Sequence, residues 1–260
     1  MKLYYQESGN KTGDLFLFIH GGGVSSWMWE QQLAYFSDYH CVTVDLPGHG
    51  KSLTIENFKI ETVANTIFTI IEKLKKDKKV IVCGFSIGAQ IALELLSLTK
   101  AIDFAIINSA LVRPQKFLNC MMKPFLPISY PLAKVKGFSK AQAKALLIPD
   151  NYFDIYYAET SKISYKILKD TLNENMTFTL PGMLENCSTK ALITVGAKER
   201  RILHQSAVDI VTTMNNALGV TIPNLGHGLP YAKPNLFNKL VKTWLKTGHV
   251  INEVKEISSS

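Results

Sequence analysis

A serine between two glycines, at the junction of a strand-like run and a helix-like run, places the strongest constraint on the fold of this chain. Residues 78–96 have the sequence KKVIVCGFSIGAQIALELL. The β-branched run Val80–Cys83 is typical of a buried strand, and the apolar residues from Gly88 to Leu98 recur at helical spacing. The sequence GFSIG, residues 84–88, therefore has to turn the chain from strand to helix within a few residues.

A turn this tight forces its central residue, Ser86, into a strained backbone conformation. Glycine two positions before it and two positions after it relieves the crowding. The hydroxyl is then exposed at the end of the strand, beside the free N–H groups and the positive dipole end of a helix N-terminus. This arrangement suits a nucleophile that has to stabilise an oxyanion. An ordinary structural turn is the alternative, so the rest of the chain has to supply an oxyanion hole, a base and an acid.

Composition is typical of a globular protein with one sizeable core, or a core with a smaller insertion. The chain has 260 residues, of which 47% are hydrophobic and 19% charged. No segment approaches the ~20 consecutive apolar residues of a membrane-spanning helix. Cys41 and Cys83 lie in apolar strand-like runs, and none of the four cysteines has metal-site spacing. We expect free thiols in a reducing, cytoplasmic location, with neither disulfides nor zinc.

The net charge of +8 comes from scattered lysines. The one cluster, KLKKDKK, ends a predicted helix, where the helix dipole favours cations. No zinc-finger, RNP or P-loop pattern is present. We therefore expect a solvated basic surface and a small-molecule substrate, rather than a nucleic-acid partner.

Strand-like and helix-like runs alternate over most of the chain, which predicts a parallel sheet with helices on both faces. The predicted strands are residues 15–19, 41–45, 80–83, 104–107, 191–195 and 217–222, and the predicted helices are residues 27–36, 60–74, 88–98 and 234–245. The tail EVKEISSS, residues 253–260, is expected to fray.

The alternation stops between residues 113 and 180. This stretch is rich in Pro, Met, Phe and Tyr, and it has helical patches but no clear strand. We interpret it as a helical insertion packed over the sheet, so that residues 1–112 and 181–260 form the core domain. Its apolar side chains favour a roof over an apolar substrate.

A glycine-rich loop is the candidate oxyanion hole. The sequence HGGG, residues 20–23, directly follows a predicted strand, and glycines allow backbone N–H groups to approach a ligand closely. We select the N–H groups of Gly22 and Ile87 as the donors. We expect His20 to fix the loop rather than to act as a base. A plain glycine loop is the alternative.

His227 is the candidate base. It lies in a glycine-flanked loop between a predicted strand and the last helix, where a catalytic histidine can be positioned at the carboxyl edge of the sheet. The other histidines, among them His49 in DLPGHGKS, have more ordinary surroundings. An ordinary turn histidine is the alternative for His227.

Glu199 is the candidate acid. The acid should follow Ser86, precede His227 and lie in a loop after a strand. Glu199, in the sequence VGAKERR, leaves the carboxyl end of a predicted core strand. The other acidic residues in this interval lie in predicted helices, in the insertion or at the opposite end of a strand. Because Glu199 has cationic neighbours, a surface ion pair is the alternative.

Together these motifs resemble the α/β-hydrolase superfamily, in its small soluble esterase, lactonase and thioesterase-like branch. The resemblance covers nearly the whole chain. It rests on HGGG after the third strand, DLPGHGKS after the fourth, GFSIG at the nucleophile elbow, VGAKE after the seventh and GHG before the last helix. It implies a mostly parallel, doubly wound sheet of about eight strands, with a helical cap (residues 113–180) inserted after the sixth strand. The order Ser, acid, His is that of the family.

The resemblance implies a triad of Ser86, Glu199 and His227. This branch usually has Asp where the chain has Glu199, and Ser86 argues against the family's dehalogenases and epoxide hydrolases, which use an Asp nucleophile. We expect cleavage of an ester, lactone or thioester of a small, largely apolar substrate through an acyl-enzyme, without metal or cofactor. The alternatives are a C–C hydrolase, lyase or cofactor-free haloperoxidase-like enzyme on the same triad, a small-ligand receptor with a slow triad, and an inactive scaffold.

Overall fold

One sheet of eight strands runs through residues 1–257, which are the residues that the computed structural model of the chain describes. The strands are β1 (Tyr5–Gly9), β2 (Leu15–Ile19), β3 (His40–Val44), β4 (Val80–Phe85), β5 (Phe104–Asn108), β6 (Lys190–Gly196), β7 (Ala217–Ile222) and β8 (Lys255–Glu256). Their order across the sheet is β1-β3-β2-β4-β5-β6-β7-β8. Neighbouring strands pair in parallel, except that β1 pairs antiparallel with β3 and β8 antiparallel with β7.

Helices cover both faces of this sheet. They are α1 (Glu30–Tyr35), α2 (Ile60–Lys75), α3 (Ile87–Leu98), α4 (Lys116–Met122), α5 (Leu126–Ser129), α6 (Lys136–Ala145), α7 (Phe153–Thr160), α8 (Tyr165–Thr177), α9 (Arg201–Thr213), α10 (Leu229–Ala232) and α11 (Pro234–Thr247). In β2, Leu17 packs in the apolar cluster that contains α2 and α3, whereas Phe16 packs in the cluster that contains α11. A strand buried on both faces is the arrangement of a doubly wound sheet, so the predicted fold class is confirmed.

The sequence pattern did not predict β1 and β8, the two antiparallel edge strands. β1 is only partly buried and β8 has two residues, so neither has the buried apolar run that identified the other six. The expectation that the tail frays is wrong for residues 254–257. Val254 is buried and the N–H of Ile257 donates to the carbonyl oxygen of Gly219. The rest of that tail, residues 258–260, lies outside the described part.

The strand numbers implied by the resemblance are one too high. HGGG follows β2 rather than a third strand, DLPGHGKS follows β3, and VGAKE begins at the end of β6. The helical stretch follows β5 rather than a sixth strand. The resemblance implies two strands before the strand that leads into HGGG, whereas here one strand, β1, precedes it. The relative order of the motifs along the sheet is unaffected.

Residues 113–180, which we call the inserted segment, contain helices but no strand. Tyr156 in α7 is buried, and Glu174 in α8 accepts a hydrogen bond from the N–H of Ile60 at the start of α2. Residues 116–138 of the segment contrast with this, because Asn119 is the one buried residue among them. Of the fifteen exposed large apolar side chains in residues 1–257, nine lie in this short stretch. The inserted segment therefore contacts the core along α7 and α8 and exposes apolar residues elsewhere.

Candidate active site

Ser86 lies between β4 and α3 with a strained backbone, at φ 56° and ψ −118°. The two glycines of the motif explain how the chain tolerates this turn. A Cβ atom on Gly84 would lie 2.3 Å from the carbonyl oxygen of Gly88, and one on Gly88 would lie 2.4 Å from the carbonyl oxygen of Ile19. Any larger residue at either position collides with backbone atoms. The sequence therefore holds Ser86 at the carboxyl end of β4, at the start of a helix.

His227 and Glu199 form a hydrogen-bonded pair at the same edge of the sheet. The distance from His227 Nδ1 to Glu199 Oε2 is 2.8 Å. The other carboxylate oxygen, Oε1, accepts hydrogen bonds from Ser109 Oγ at 2.6 Å and from the N–H of Gly196 at 2.8 Å. The side chain of Glu199 is 1% exposed, so the alternative of a surface ion pair with its cationic neighbours is wrong.

The hydrogen bonds around Glu199 favour its ionised form. Burial by itself raises the pKa of this carboxyl group. The pKa is nevertheless below its ordinary value, because His227 donates a hydrogen bond and contributes its charge, and because Ser109 and Gly196 donate further hydrogen bonds. An ionised carboxylate accepts a hydrogen bond from the N–H at Nδ1 of His227, so the pair fixes one tautomer of the imidazole. The remaining nitrogen, Nε2, is then free to accept a proton.

Ser86 and His227 line the same two cavities. An inner cavity of about 430 Å³ contains Gly22, Ile87 and several side chains of the inserted segment, and an outer cavity of about 1280 Å³ contains Glu199. Among the described residues, no hydrogen bond joins the hydroxyl of Ser86 to His227. The structure thus brings the two side chains to the wall of the same cavities. A hydrogen bond between a serine and a histidine in an active site often forms only when substrate is bound.

The two proposed oxyanion donors lie together on the inner cavity. Within residues 1–257, neither the N–H of Gly22 nor that of Ile87 donates to another backbone group. Ile87 is the first residue of α3, where backbone N–H groups have no partner within the helix. Added bulk on Gly22 would meet nothing closer than Thr171 Cγ2 at 3.5 Å. Both N–H groups thus lack a backbone acceptor and belong to residues on the wall of one cavity, as an oxyanion hole requires.

His20 has the structural role expected from the sequence. Its Nδ1 lies 2.7 Å from the carbonyl oxygen of Gly21, and its Nε2 accepts the N–H of Leu46 at 2.9 Å. Complete burial lowers the pKa of this imidazole, which keeps it neutral and able to accept that bond. His20 thus connects the HGGG loop to the loop after β3.

Sequence reasoning missed His49, which supports the same loop. Nε2 of His49 accepts the N–H of Gly23 at 3.1 Å, and its Nδ1 lies 2.9 Å from the carbonyl oxygen of Pro47. Burial, with the neighbouring His20, lowers the pKa of His49 to about 3. A signal was available, because His49 has a glycine on each side, in the same Gly-His-Gly pattern that surrounds His227.

Sequence reasoning also missed Ser109, the residue that donates to Glu199. It directly follows β5 and has a positive φ of 56°. In a residue other than glycine, such a backbone is strained and persists only where its surroundings hold it in place. The sequence gives no motif around Ser109, and only the neighbouring positions of β5 and β6 in the sheet bring it to the acid.

Residues 1–257 contain no group of three or more His, Cys, Asp or Glu side chains placed to hold a metal ion. In the same residues, no helix combines the length and the apolar character needed to cross a membrane.

Known proteins with similar sequences or structures match this chain over different lengths. An "AB hydrolase superfamily protein" of Gibberella zeae is 29% identical over 139 residues, which is 52% of this chain and 48% of that protein. A "Pimeloyl-[acyl-carrier protein] methyl ester esterase" of Methylococcus capsulatus is 34% identical over 95 residues, 36% of this chain and 35% of that protein. The chain thus spans less than half the length of each of these relatives.

A solved structure matches almost the whole chain. The structure of MenH from S. aureus superposes with a TM-score of 0.76 at 20% identity, and the match covers 94% of this chain and 97% of that one. Similarity at this level of identity shows a shared fold. The sequence profile described as "Alpha/beta hydrolase family" matches residues 16–240. That range includes the strand before HGGG, the strained serine and the His227–Glu199 pair, and the chain therefore belongs to the alpha/beta hydrolase family.

Proposed function

We propose that the protein is a serine hydrolase that cleaves an ester, lactone or thioester of a largely apolar substrate through an acyl-enzyme. One observation carries this proposal. A serine with a strained backbone at a helix N-terminus shares a cavity wall with an imidazole whose Nδ1 is bound to a buried carboxylate. This combination supplies a nucleophile, a base with an available nitrogen and a group that stabilises the charged base.

The proposed reaction has two halves, acylation of Ser86 and hydrolysis of the acyl-enzyme, and His227 moves the protons in both. His227 Nε2 removes the proton from the hydroxyl of Ser86 as Ser86 Oγ attacks the substrate carbonyl carbon. The oxygen that becomes negative accepts hydrogen bonds from the N–H groups of Gly22 and Ile87. His227 then gives its proton to the leaving group, which departs and leaves an ester on Ser86. Water, activated by the same imidazole, hydrolyses that ester and restores the serine.

We also propose that the inserted segment acts as a cap that holds the acyl group. It supplies much of the wall of the inner cavity, including Met122, Leu126, Phe138 and Leu168. These side chains are apolar, and an apolar chain gains free energy when such a pocket removes it from water. The name of the Methylococcus relative describes cleavage of a methyl ester, which agrees with ester chemistry for this chain.

A labelling experiment tests the acyl-enzyme directly. A fluorophosphonate should attach to Ser86, and the purified protein should hydrolyse p-nitrophenyl butyrate. Ser86→Ala should not be labelled. Its turnover should fall on the order of 10³-fold or more, because no other group supplies the nucleophile. A ligand receptor with a slow triad would take the label but hydrolyse no member of an ester panel above background.

Ser97→Ala is the matched control. Ser97 lies in α3, the helix that starts after Ser86, and its hydroxyl donates to the carbonyl oxygen of Glu94 away from both cavities. This variant should keep both labelling and turnover. If the label is found on another serine, or if Ser86→Ala has near-wild-type activity, the acyl-enzyme mechanism is wrong.

A further inference from the structure

The outer cavity is lined by positive charge. Five cationic residues lie on its wall, and these are Lys140, Lys144, Lys198, Arg200 and Lys233. All five are exposed. Within residues 1–257, none of the five forms an ion pair. No carboxylate in that part of the chain therefore neutralises any of the five charges, although Lys140 Nζ lies 6.0 Å from the ring centroid of Phe153 on the same wall.

Acidic residues on the same wall do not balance this charge. They are Asp150 and Glu199. Glu199 is 1% exposed, and its oxygens already bind His227, Ser109 and Gly196. Asp150 is therefore the one acidic residue on this wall whose charge can offset the five cations. A cleft lined mostly by one sign of charge concentrates solutes of the opposite sign.

Three distant parts of the chain supply these cations. Lys140 and Lys144 lie one turn apart on α6 of the inserted segment, Lys198 and Arg200 lie in the loop between β6 and α9, and Lys233 precedes α11. A charge run on one exposed helix would be an ordinary solvated face. Here the cations come from the inserted segment and from two core loops and line one cavity. The fold itself therefore assembles the positive surface.

The reacting groups lie where the two cavities meet. Ser86 and His227 line both of them, whereas Gly22 and Ile87 line only the inner one. A carbonyl group bound to Ser86 with its oxygen toward Gly22 and Ile87 has its acyl chain on the inner, apolar side. The leaving group receives its proton from His227, which also faces the outer cavity. With the acyl chain on the inner side, the outer, positively charged cavity is the space that remains for the leaving group beside His227.

We infer that the substrate joins an apolar acyl chain to an alcohol or thiol that carries more than one negative charge. This inference rests on the acyl-enzyme mechanism proposed above and specifies its substrate class. The inner cavity binds the acyl chain, and the cations of the outer cavity bind phosphate or carboxylate groups on the leaving group. Lysine binds such groups as a point charge, and the guanidinium of Arg200 can bind two of their oxygens at once.

The reaction stays balanced with such a substrate. The bond from Ser86 Oγ to the acyl carbon forms as the bond from that carbon to the leaving oxygen or sulfur breaks. The proton of Ser86 passes through His227 to the leaving atom, which departs as an anionic alcohol or thiol. Water then supplies the oxygen and the protons that release the carboxylic acid and restore Ser86. No oxidant, reductant or further reactant takes part.

The test compares three thioesters that share an octanoyl chain. The leaving groups are coenzyme A, which carries phosphates, mercaptosuccinate, which carries two carboxylates, and N-acetylcysteamine, which is neutral. We expect kcat/KM for an anionic thioester to exceed that for the neutral one by about tenfold or more at low ionic strength, and the advantage to fall as NaCl screens the charges. The order of the two anionic thioesters distinguishes phosphate from carboxylate as the preferred group.

Charge-neutralising variants locate the effect. Lys144→Gln, Lys198→Gln and Lys233→Gln, alone and combined, should lower the ratio of kcat/KM between anionic and neutral thioesters, mainly by raising KM for the anionic ones. Lys116→Gln is the matched control, because Lys116 is exposed on α4 and lies on neither cavity. Its ratio should equal that of the wild type.

The outcomes separate this inference from the proposed function. Equal kcat/KM for the three thioesters, or an anionic preference that survives in the combined variant, overturns the inference while hydrolysis of the neutral thioester still supports the serine hydrolase. Failure to hydrolyse any of the three, together with failure of Ser86 to react with fluorophosphonate, overturns both.

Discussion

The sheet edge and the inserted segment use their side chains in opposite ways. At the sheet edge, Ser86 is held by glycines that admit no side chain, and Glu199 is held by three hydrogen bonds. In residues 116–138 of the inserted segment, nine large apolar side chains are exposed, with Phe117 at 80%. The edge is therefore fixed by contacts that tolerate little change, whereas much of the segment has few contacts to lose.

This difference should separate the residues that set turnover and stability from the residues that set substrate choice. Substitutions at the sheet edge should change turnover or the free energy of unfolding by large amounts, because each removes a contact that nothing replaces or adds atoms where there is no space. Substitutions in the inserted segment should change the choice of substrate and leave the fold nearly unaffected. The four predictions below test this division, in order of decreasing effect.

Glu199→Gln should lower turnover by roughly 10² to 10⁴-fold, as expected for loss of a triad acid. Glutamine keeps the size of the side chain but can no longer act as a charged acceptor for His227 Nδ1. Steady-state hydrolysis of p-nitrophenyl butyrate measures the loss, and circular dichroism checks the fold. Glu185→Gln, at an exposed position outside both cavities, is the control. Unchanged kinetics in a folded Glu199→Gln protein would mean that Ser86 and His227 act as a dyad or use another acid.

Two glycine substitutions test the division through stability. Gly88→Ala should lower the free energy of unfolding by about 2–3 kcal/mol, because its Cβ would lie 2.4–2.5 Å from two backbone oxygens. Gly137→Ala, in α6, should raise it by about 0.5 kcal/mol, since the added Cβ has no atom within 4 Å beyond its chain neighbours and the backbone of its own helix, and alanine is the better helix former. Urea denaturation measures both. Equal effects of the two substitutions would contradict the contrast drawn here.

The acyl chain should be selected by the inserted segment. We expect kcat/KM for p-nitrophenyl hexanoate to exceed that for the acetate by about tenfold, because the longer chain fills the apolar inner cavity. Phe138→Ala, which enlarges that cavity, should shift the preference toward longer chains. If acetyl and longer esters have the same specificity constant, the segment does not bind the acyl group.

The smallest effect concerns two carboxylates with opposite pKa shifts, the half-buried Glu159 and the buried side chain of Glu199. Burial raises the pKa of Glu159, against hydrogen bonds from Ser25 and Trp27, whereas the hydrogen bonds around Glu199 lower the pKa of that group. The folded protein therefore binds the Glu159 proton more tightly than the unfolded chain does, and the stability that this gives is lost as the pH rises above about 4.5. Ionised Glu199 instead contributes stability above that pH, which is lost on acidification through its lowered pKa.

Unfolding by urea across pH 3 to 7 separates the two. At pH 7, Glu159→Gln should be as stable as the wild type or slightly more stable, within about 1 kcal/mol, while Glu199→Gln should be less stable. Glutamine at position 159 can still accept from Trp27, which makes it a conservative replacement. A large loss of stability in Glu159→Gln at pH 7 would show that its ionised form is favoured in the folded state.

The sequence predicted the parts of the molecule that depend on local pattern. The six parallel strands have continuous apolar runs, and the turn at Ser86 has glycines at fixed positions on both sides. Both are properties of neighbouring residues, so they are visible along the chain. Elimination within the interval from Ser86 to His227 also selected Glu199, because it was the only acidic residue of that interval at the carboxyl end of a predicted core strand.

Contacts between distant residues account for what the sequence did not predict. Ser109 is 90 residues from Glu199, and it reaches the acid only because β5 and β6 are neighbours in the sheet. The convergence of lysines on the outer cavity likewise depends on three segments that are far apart in sequence. β8 was missed because a two-residue strand has no periodicity of its own and exists through its pairing with β7.

The position of the inserted segment has a consequence for how proteins with this architecture diverge. The segment leaves the sheet after β5 and returns before β6, and these two strands pair directly with each other. Its length and composition can therefore vary from one lineage to another without a change in strand pairing or in the register that brings Ser109 to Glu199. Under the proposed function, the groups that set turnover lie on the sheet and the groups that set substrate choice lie on the inserted segment, so a change in one leaves the strands that position the other in place.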